Sequence, residues 1–179
     1  MLLVACVLPG CQPEKVAPPA ASATGESVRN NCYSLLYQLL EEQKDVSILR
    51  FIKREHADVK KLVQKIADDS ASGGKLLKAY AKKDAGLSLD DFGLPPGEVA
   101  TRASIAAAKR KELLGQTGDD FELTLLLTQT EALGYASHLA RVASQNETQP
   151  ARAQALAGLS DDMESLGRQV FAMLRSKTR

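Results

Sequence analysis

Tryptophan is absent from the 179 residues, phenylalanine and tyrosine occur four times each, cysteine three times and histidine twice. Two histidines leave little for acid–base chemistry. Without a CxxC or a Cys/His group at ligand spacing, a zinc site is not expected. Serine never stands in a nucleophile-elbow pattern, and no glycine-rich loop follows a strand-like run. These absences argue against an enzyme and against any cofactor. An excess of charge of one sign is also missing, since 23 basic and 22 acidic side chains leave a formal net charge of +1. That balance removes the electrostatic footprint of a nucleic-acid binder. The basic clusters Lys53-Arg54, Lys60-Lys61, Lys82-Lys83 and Lys109-Arg110-Lys111 stand beside acids or on polar helix faces and read as solvated surface.

Long hydrophobic runs are lacking as well. The apolar opening at residues 2–8, "LLVACVL", is far short of the about 20 residues that a membrane-spanning helix needs. Alternating β-branched runs that would pair with it as a strand are missing downstream. A processed export segment remains, and Leu8-Pro9-Gly10-Cys11 resembles the lipobox of bacterial lipoprotein signal peptides, in which the cysteine is acylated and becomes the new N-terminus. Leu3-Val4-Ala5-Cys6 fits the same pattern. Cys11 is preferred for lipidation because Cys6 leaves only five residues ahead of it. The stretch 12–27, "QPEKVAPPAASATGES", is too rich in Pro, Ala and Ser to bury apolar surface and reads as a disordered tether. The expected division is therefore a signal segment at 1–11, a tether at 12–27 and a folded domain at 28–177. Cys32, the third cysteine, falls on an apolar helix face and is expected to be buried as a small hydrophobe.

What the domain has is helical periodicity. Val28, Cys32, Leu35 and Leu39 step by three and four, the mark of one helical face. Asp45 is placed to cap a second helix with Leu49, Ile52, His56, Val59, Val63 and Ile66 on its stripe. The pair is expected to turn back tightly on itself. Gly73-Gly74 is expected to end that helix, with a short helix near 75–83 and a break at Pro95-Pro96-Gly97. An Ala-rich helix with a diffuse apolar face is predicted over 98–114. Phe121, Leu125, Thr128, Ala132, Tyr135, Leu139 and Val142 mark a long helix, and Leu156, Leu159, Met163, Leu166, Val170 and Leu174 mark the last. Four striped helices and one weakly striped connector predict an all-α, antiparallel four-helix bundle, the connector lying between the second and third core helices.

At "LLEEQKDVSILRFIKREHADVKKLVQKIA" and "LLGQTGDDFELTLLLTQTEALGYASHLA" the chain resembles a large family of exported bacterial proteins of unknown function with a ferritin-like four-helix bundle. The shared features are the acid-His pair Glu55-His56 and a glycine followed by a Phe-acid pair, Gly118 and Phe121-Glu122. The resemblance implies a fold and a compartment more than an activity. The acid-His pair that the family usually carries in its third core helix is replaced here by Glu131, Ala132 and Leu133, and the last helix has no histidine.

A di-iron site needs two ExxH motifs facing inward, and neither exists. Lys53 stands where a glutamate would precede His56, and Gly134 where a histidine would follow Glu131. A smaller buried cluster of Glu55, His56, Glu131, Tyr135 and His138 is the candidate site, either a hydrogen-bonded structural network or a pocket for one metal ion or small ligand. The function expected is a lipid-anchored helical bundle on the periplasmic face of the bacterial envelope. It acts through an envelope protein partner or as a structural module, without catalysis. Gln12 after Cys11 points to the outer membrane. The alternative is a ligand- or metal-binding ferritin-like bundle with a stress-related role.

Overall fold

A computed structural model describes residues 24–48 and 56–177. The described residues are helical, in five α-helices and one short 3-10 helix: α1 (Gly25–Lys44), the 3-10 turn (Asp45–Ile48), α2 (Ala57–Ala81), α3 (Pro96–Gly115), α4 (Gly118–Gln145) and α5 (Pro150–Lys177). Among them none is long and apolar enough to cross a membrane. The proposed lipidation site Cys11, its rival Cys6, most of the tether, and Leu49, Ile52, Lys53 and Glu55 lie outside the described residues.

The Thr24 hydroxyl accepts the backbone N–H of Ser27 at 3.2 Å, an N-cap. Gly25 therefore opens α1 three residues ahead of the boundary expected at 28. Asp45 caps the C-terminus of α1, and His56 is the N-cap residue of α2. The buried face of α1 is centred on Tyr33, Leu36 and Leu40, all fully enclosed, with Cys32 beside them. Val28, Leu35 and Leu39 lie one residue round and are only partly covered. Leucines at 35, 36, 39 and 40 support two overlapping stripes, and periodicity alone does not choose between them.

Helix α2 corrects the expectation at Gly73-Gly74, because it runs through both glycines to Ala81 and absorbs the short helix expected at 75–83. Its stripe continues as Val59, Val63, Ile66, Ser70, Gly73 and Leu77, every one buried. The small residues are there for fit. A Cβ on Gly73 would stand 3.0 Å from Leu40 Cδ1 and 3.1 Å from Leu159 Cδ1, and one on Gly74 would stand 3.0 Å from Glu41 Oε1. The helix accepts two glycines, at about 1 kcal/mol each relative to alanine, so that α1 and α5 can approach its backbone.

Helix α4 packs along α5, α1 lies against both α2 and α4, and α2 also touches α5. Their side chains share one apolar core containing Tyr33, Leu36, Leu40, Ile66, Leu77, Leu126, Leu133, Leu156, Met163 and Leu166. A smaller cluster of Val59, Val63, Leu113, Phe121 and Leu125 closes the end at which α2 and α4 begin. Of the 20 residues of α3, Leu113 alone is buried. The connection from α2 to α3 docks on α1. Asn30 Nδ2 donates to the Gly86 carbonyl at 2.8 Å, and the Ser34 hydroxyl donates to the Asp91 carbonyl at 2.5 Å. Gly93 sits at φ +56° with the Asn31 amide where a Cβ would go, a position that only glycine fills without strain.

These contacts predict opposite responses at two helical glycines. Gly73→Val, pressed into Leu40 and Leu159, loses about 1–3 kcal/mol by overpacking. Gly158→Ala in α5, where nothing lies within 4 Å of the new carbon, gains up to about 1 kcal/mol from helix propensity. Urea unfolding midpoints of the two variants against the parent read both signs.

Candidate functional site

The expected interior cluster does not assemble. His56 is the N-cap residue of α2, with backbone φ −64° and ψ 150°, and its side chain is 65% exposed. It is not on the core stripe. Glu131, Tyr135 and His138 are all exposed on the outer side of α4. The Lys109 ammonium pairs with Glu131. Arg102 donates to the Tyr135 hydroxyl at 3.0 Å and lies 5.3 Å from the ring centroid. Those two residues serve to hold α3 beside α4. Of the expected stripe, Phe121, Leu125 and Leu139 are buried, but Thr128, Ala132 and Tyr135 are not, since the buried line also runs through Glu122, Leu126, Gln129, Leu133, Ala136, Ala140 and Ala143.

The chemistry lies instead around Glu122. This carboxylate is 1% exposed and stands in the first turns of α4, facing the start of α2. His56 makes no side-chain cap for its own helix; Glu122 Oε1 takes the His56 backbone N–H in its place, capping α2 from another helix. Glu122 Oε2 meets His56 Nδ1 at 2.9 Å and the Lys177 ammonium, from the last turn of α5, at 2.6 Å. Burial alone would raise the Glu122 pKa, but the hydrogen bonds from Lys177 and His56 outweigh it and hold the group below the usual glutamate value. The same bond to Glu122 raises Lys177. Asp119, one turn earlier, brings a second carboxylate, so that one ligand atom each of His56, Asp119 and Glu122 lies within 4.8 Å of the others.

A second buried carboxylate closes the opposite end. The Glu147 side chain has no exposed surface. It accepts the Tyr33 hydroxyl at 2.6 Å and the backbone N–H groups of Thr148 at 2.9 Å and Gln149 at 3.1 Å, just ahead of α5. Arg29, itself 7% exposed, stands 3.9 Å away. Arg152 donates to Asp84 at 2.7 Å and lies over the Tyr80 ring, tying the α2–α3 connection to α5. Burial would lift Glu147, yet the donors from Tyr33 and the backbone hold it below the usual value. Burial and the Glu147 carboxylate push Tyr33 far above the ordinary tyrosine range.

Sequence reasoning missed this second network and singled out Glu122 only as part of a shared pattern. The available signals were small: an acid three residues before the proline that opens α5, and a lysine in the last helical turn. The burial expected for Cys32 is observed, at 8% exposed, and burial raises its thiol pKa. Among the described residues, Ser70 Oγ and Gln129 Oε1 are buried without a hydrogen-bond partner.

No family model matches the chain, and no curated protein sequence matches it. One solved structure aligns with it along most of its length, that of a DUF305 protein from Streptomyces coelicolor classed as secreted, with TM-score 0.64 and 16% sequence identity over 87% of this chain and 94% of that one. At that identity the likeness concerns the helical fold alone.

Both buried carboxylates make stability depend on acid. A carboxyl whose folded pKa lies below its unfolded value contributes stability that is complete above the unfolded value and is lost as pH falls through the folded one. The unfolding midpoint is expected to hold from pH 7 to about 5 and to drop below about 4.3, the free glutamate value. Glu147→Gln lowers the unfolding free energy at pH 7 by about 1–3 kcal/mol for the unsatisfied donors left behind, and flattens the acid slope. Denaturant titrations at pH 7, 5, 4 and 3 read both effects.

Proposed function

We propose that the chain is an exported, lipid-anchored four-helix module of ferritin-like topology that works through contact with another envelope protein and carries out no catalysis. The topology is supported by the site geometry. Because His56 at the start of α2 meets Glu122 near the start of α4, the two helices begin at the same end. The chain must then travel the length of the core between them, a single long crossover as in ferritin-like folds. Export is supported by the secreted classification of the structurally similar protein and by the Leu8-Pro9-Gly10-Cys11 pattern.

The observation that carries the functional reading is α3. A bare connection across the core would suffice for the fold, yet the chain spends 20 residues on a helix that places one residue in the interior. Val99, Ile105 and Leu114 of α3 are 42%, 51% and 45% exposed, and Leu127 of α4 is 53% exposed. Single exposed apolar residues are ordinary, but here they recur along a helix that gives almost nothing to the core, which leaves its surface for contact with another protein. Long polar side chains, Arg102 to Tyr135 and Lys109 to Glu131, hold α3 beside α4 while the rest of its surface stays open.

A photo-crosslinking residue at Ile105 or Leu127 in lipidated protein in intact cells is expected to give one discrete protein adduct, and the same probe at the exposed Glu42 of α1 none. Equal labelling from all three positions overturns the partner reading. Separately, Cys11→Ser is expected to abolish incorporation of labelled palmitate while Cys6→Ser leaves it unchanged.

A further inference from the structure

We propose that His56, Asp119 and Glu122 form a site for one divalent transition-metal cation, with Lys177 as the built-in competitor for the same oxygen. The donor set is one imidazole nitrogen and two carboxylate oxygens from two helices, a combination suited to zinc-, nickel- or cobalt-class ions. Glu122 is the fixed member. Its Oε1 is committed to the His56 backbone N–H, which leaves Oε2 as the ligand atom, already facing His56 Nδ1 at 2.9 Å.

The three donors lie within 4.8 Å of one another, while ligand atoms 2.0–2.2 Å from a shared tetrahedral ion stand about 3.3–3.6 Å apart. Binding therefore draws them together, a closure of about an ångström. His56 and Asp119 are exposed and free to supply it, while the remaining coordination positions face water.

Charge favours a cation beyond the lysine. The ammonium of Lys177 lies in the field of Glu122, Asp58 and Asp119, three carboxylates against one positive charge. The N-termini of α2 and α4 add about +0.5 each, and the C-terminus of α5 takes about 0.5 away. Among the described residues the balance stays negative by more than one charge. Lys177 satisfies Glu122 but not the cluster, and a divalent ion arriving at Oε2 displaces the ammonium into solvent, from a side chain already 18% exposed. The site lies at the end of the molecule where α2 and α4 begin and is independent of a partner on α3.

The test is calorimetric titration of the metal-stripped full chain with zinc and nickel at pH 7.5 and 0.15 M salt. One site per chain is expected. His56→Ala and Asp119→Asn alter exposed side chains and are expected to keep the fold by circular dichroism, each weakening binding at least tenfold, as loss of a ligand does. Lys177→Met removes the competitor and is expected to tighten binding about tenfold, with a larger zinc-induced rise in melting temperature than in the parent. His138→Ala, at the only other histidine, leaves binding unchanged. No one-site binding in Lys177→Met overturns the proposal. So does binding that survives His56→Ala intact, or that is lost with His138→Ala instead.

Discussion

A carboxylate buried at each end of the shared core, holding the backbone at a helix start and answered by a basic side chain from a distant helix, is the constraint on which the helix arrangement depends. Glu122 joins the starts of α2 and α4 to the end of α5, and Glu147 joins the start of α5 to Tyr33 and Arg29 of α1. Apolar burial supplies the drive to collapse, but it is non-directional and does not say where along one another the helices stop. Buried ions do, because a carboxylate moved one helical turn from its donors is left uncompensated at a cost of about 3–5 kcal/mol. The Leu-rich stripes can slide; the two ends cannot.

That division of labour explains what was legible in the residues. The helix count in the second half of the chain and the stripe of α5 through Leu156, Leu159, Met163, Leu166 and Val170 follow from spacing, since one phase alone collects the apolar side chains. Helices α1 and α4 carry two candidate phases each, and the correct one is set by neighbours. In α4 it passes through Glu122 and Gln129, residues that a hydrophobic pattern counts as polar. The glycine pair of α2 failed for a related reason. As local chemistry Gly73-Gly74 ends a helix; as packing it admits Leu40 and Leu159 against the backbone, and tertiary contact overrides propensity. The stripe continues through Ser70, Gly73 and Leu77, but small residues carry weight only when a close approach is already known.

Of the candidate site, His56 was placed near a carboxylate and Glu131, Tyr135 and His138 were placed in the wrong surroundings, while Glu55 lies outside the described residues. His56 reaches a carboxylate, yet from the end of a helix and not from its interior, because α2 starts at Ala57 and the residue before a helix takes extended backbone. His138 is exposed, and Glu131 and Tyr135 are turned to α3. Their partners Arg102 and Lys109 belong to a helix with almost no apolar stripe, whose position no periodicity could supply. Arg152 and Asp84 are 68 residues apart, and nothing local in either segment announces the pair.

The cap on α2 also bears on how a cation would act there. Glu122 holds α2 through one oxygen and α5 through the other, so the two attachments are separable. Replacing Lys177 by a metal leaves the backbone bond of His56 in place and binds α2 more firmly to α4, through His56 on one side and Asp119 and Glu122 on the other. The last turn of α5 loses its ion pair at the same moment. Met173 and Leu174 stay packed against the core, and Val170, Leu166 and Met163 are enclosed, so α5 remains docked when Lys177 lets go. Exchange of one cation for another at a single oxygen would therefore trade the tie from α5 to Glu122 for a firmer grip between α2 and α4, without disturbing the core between them.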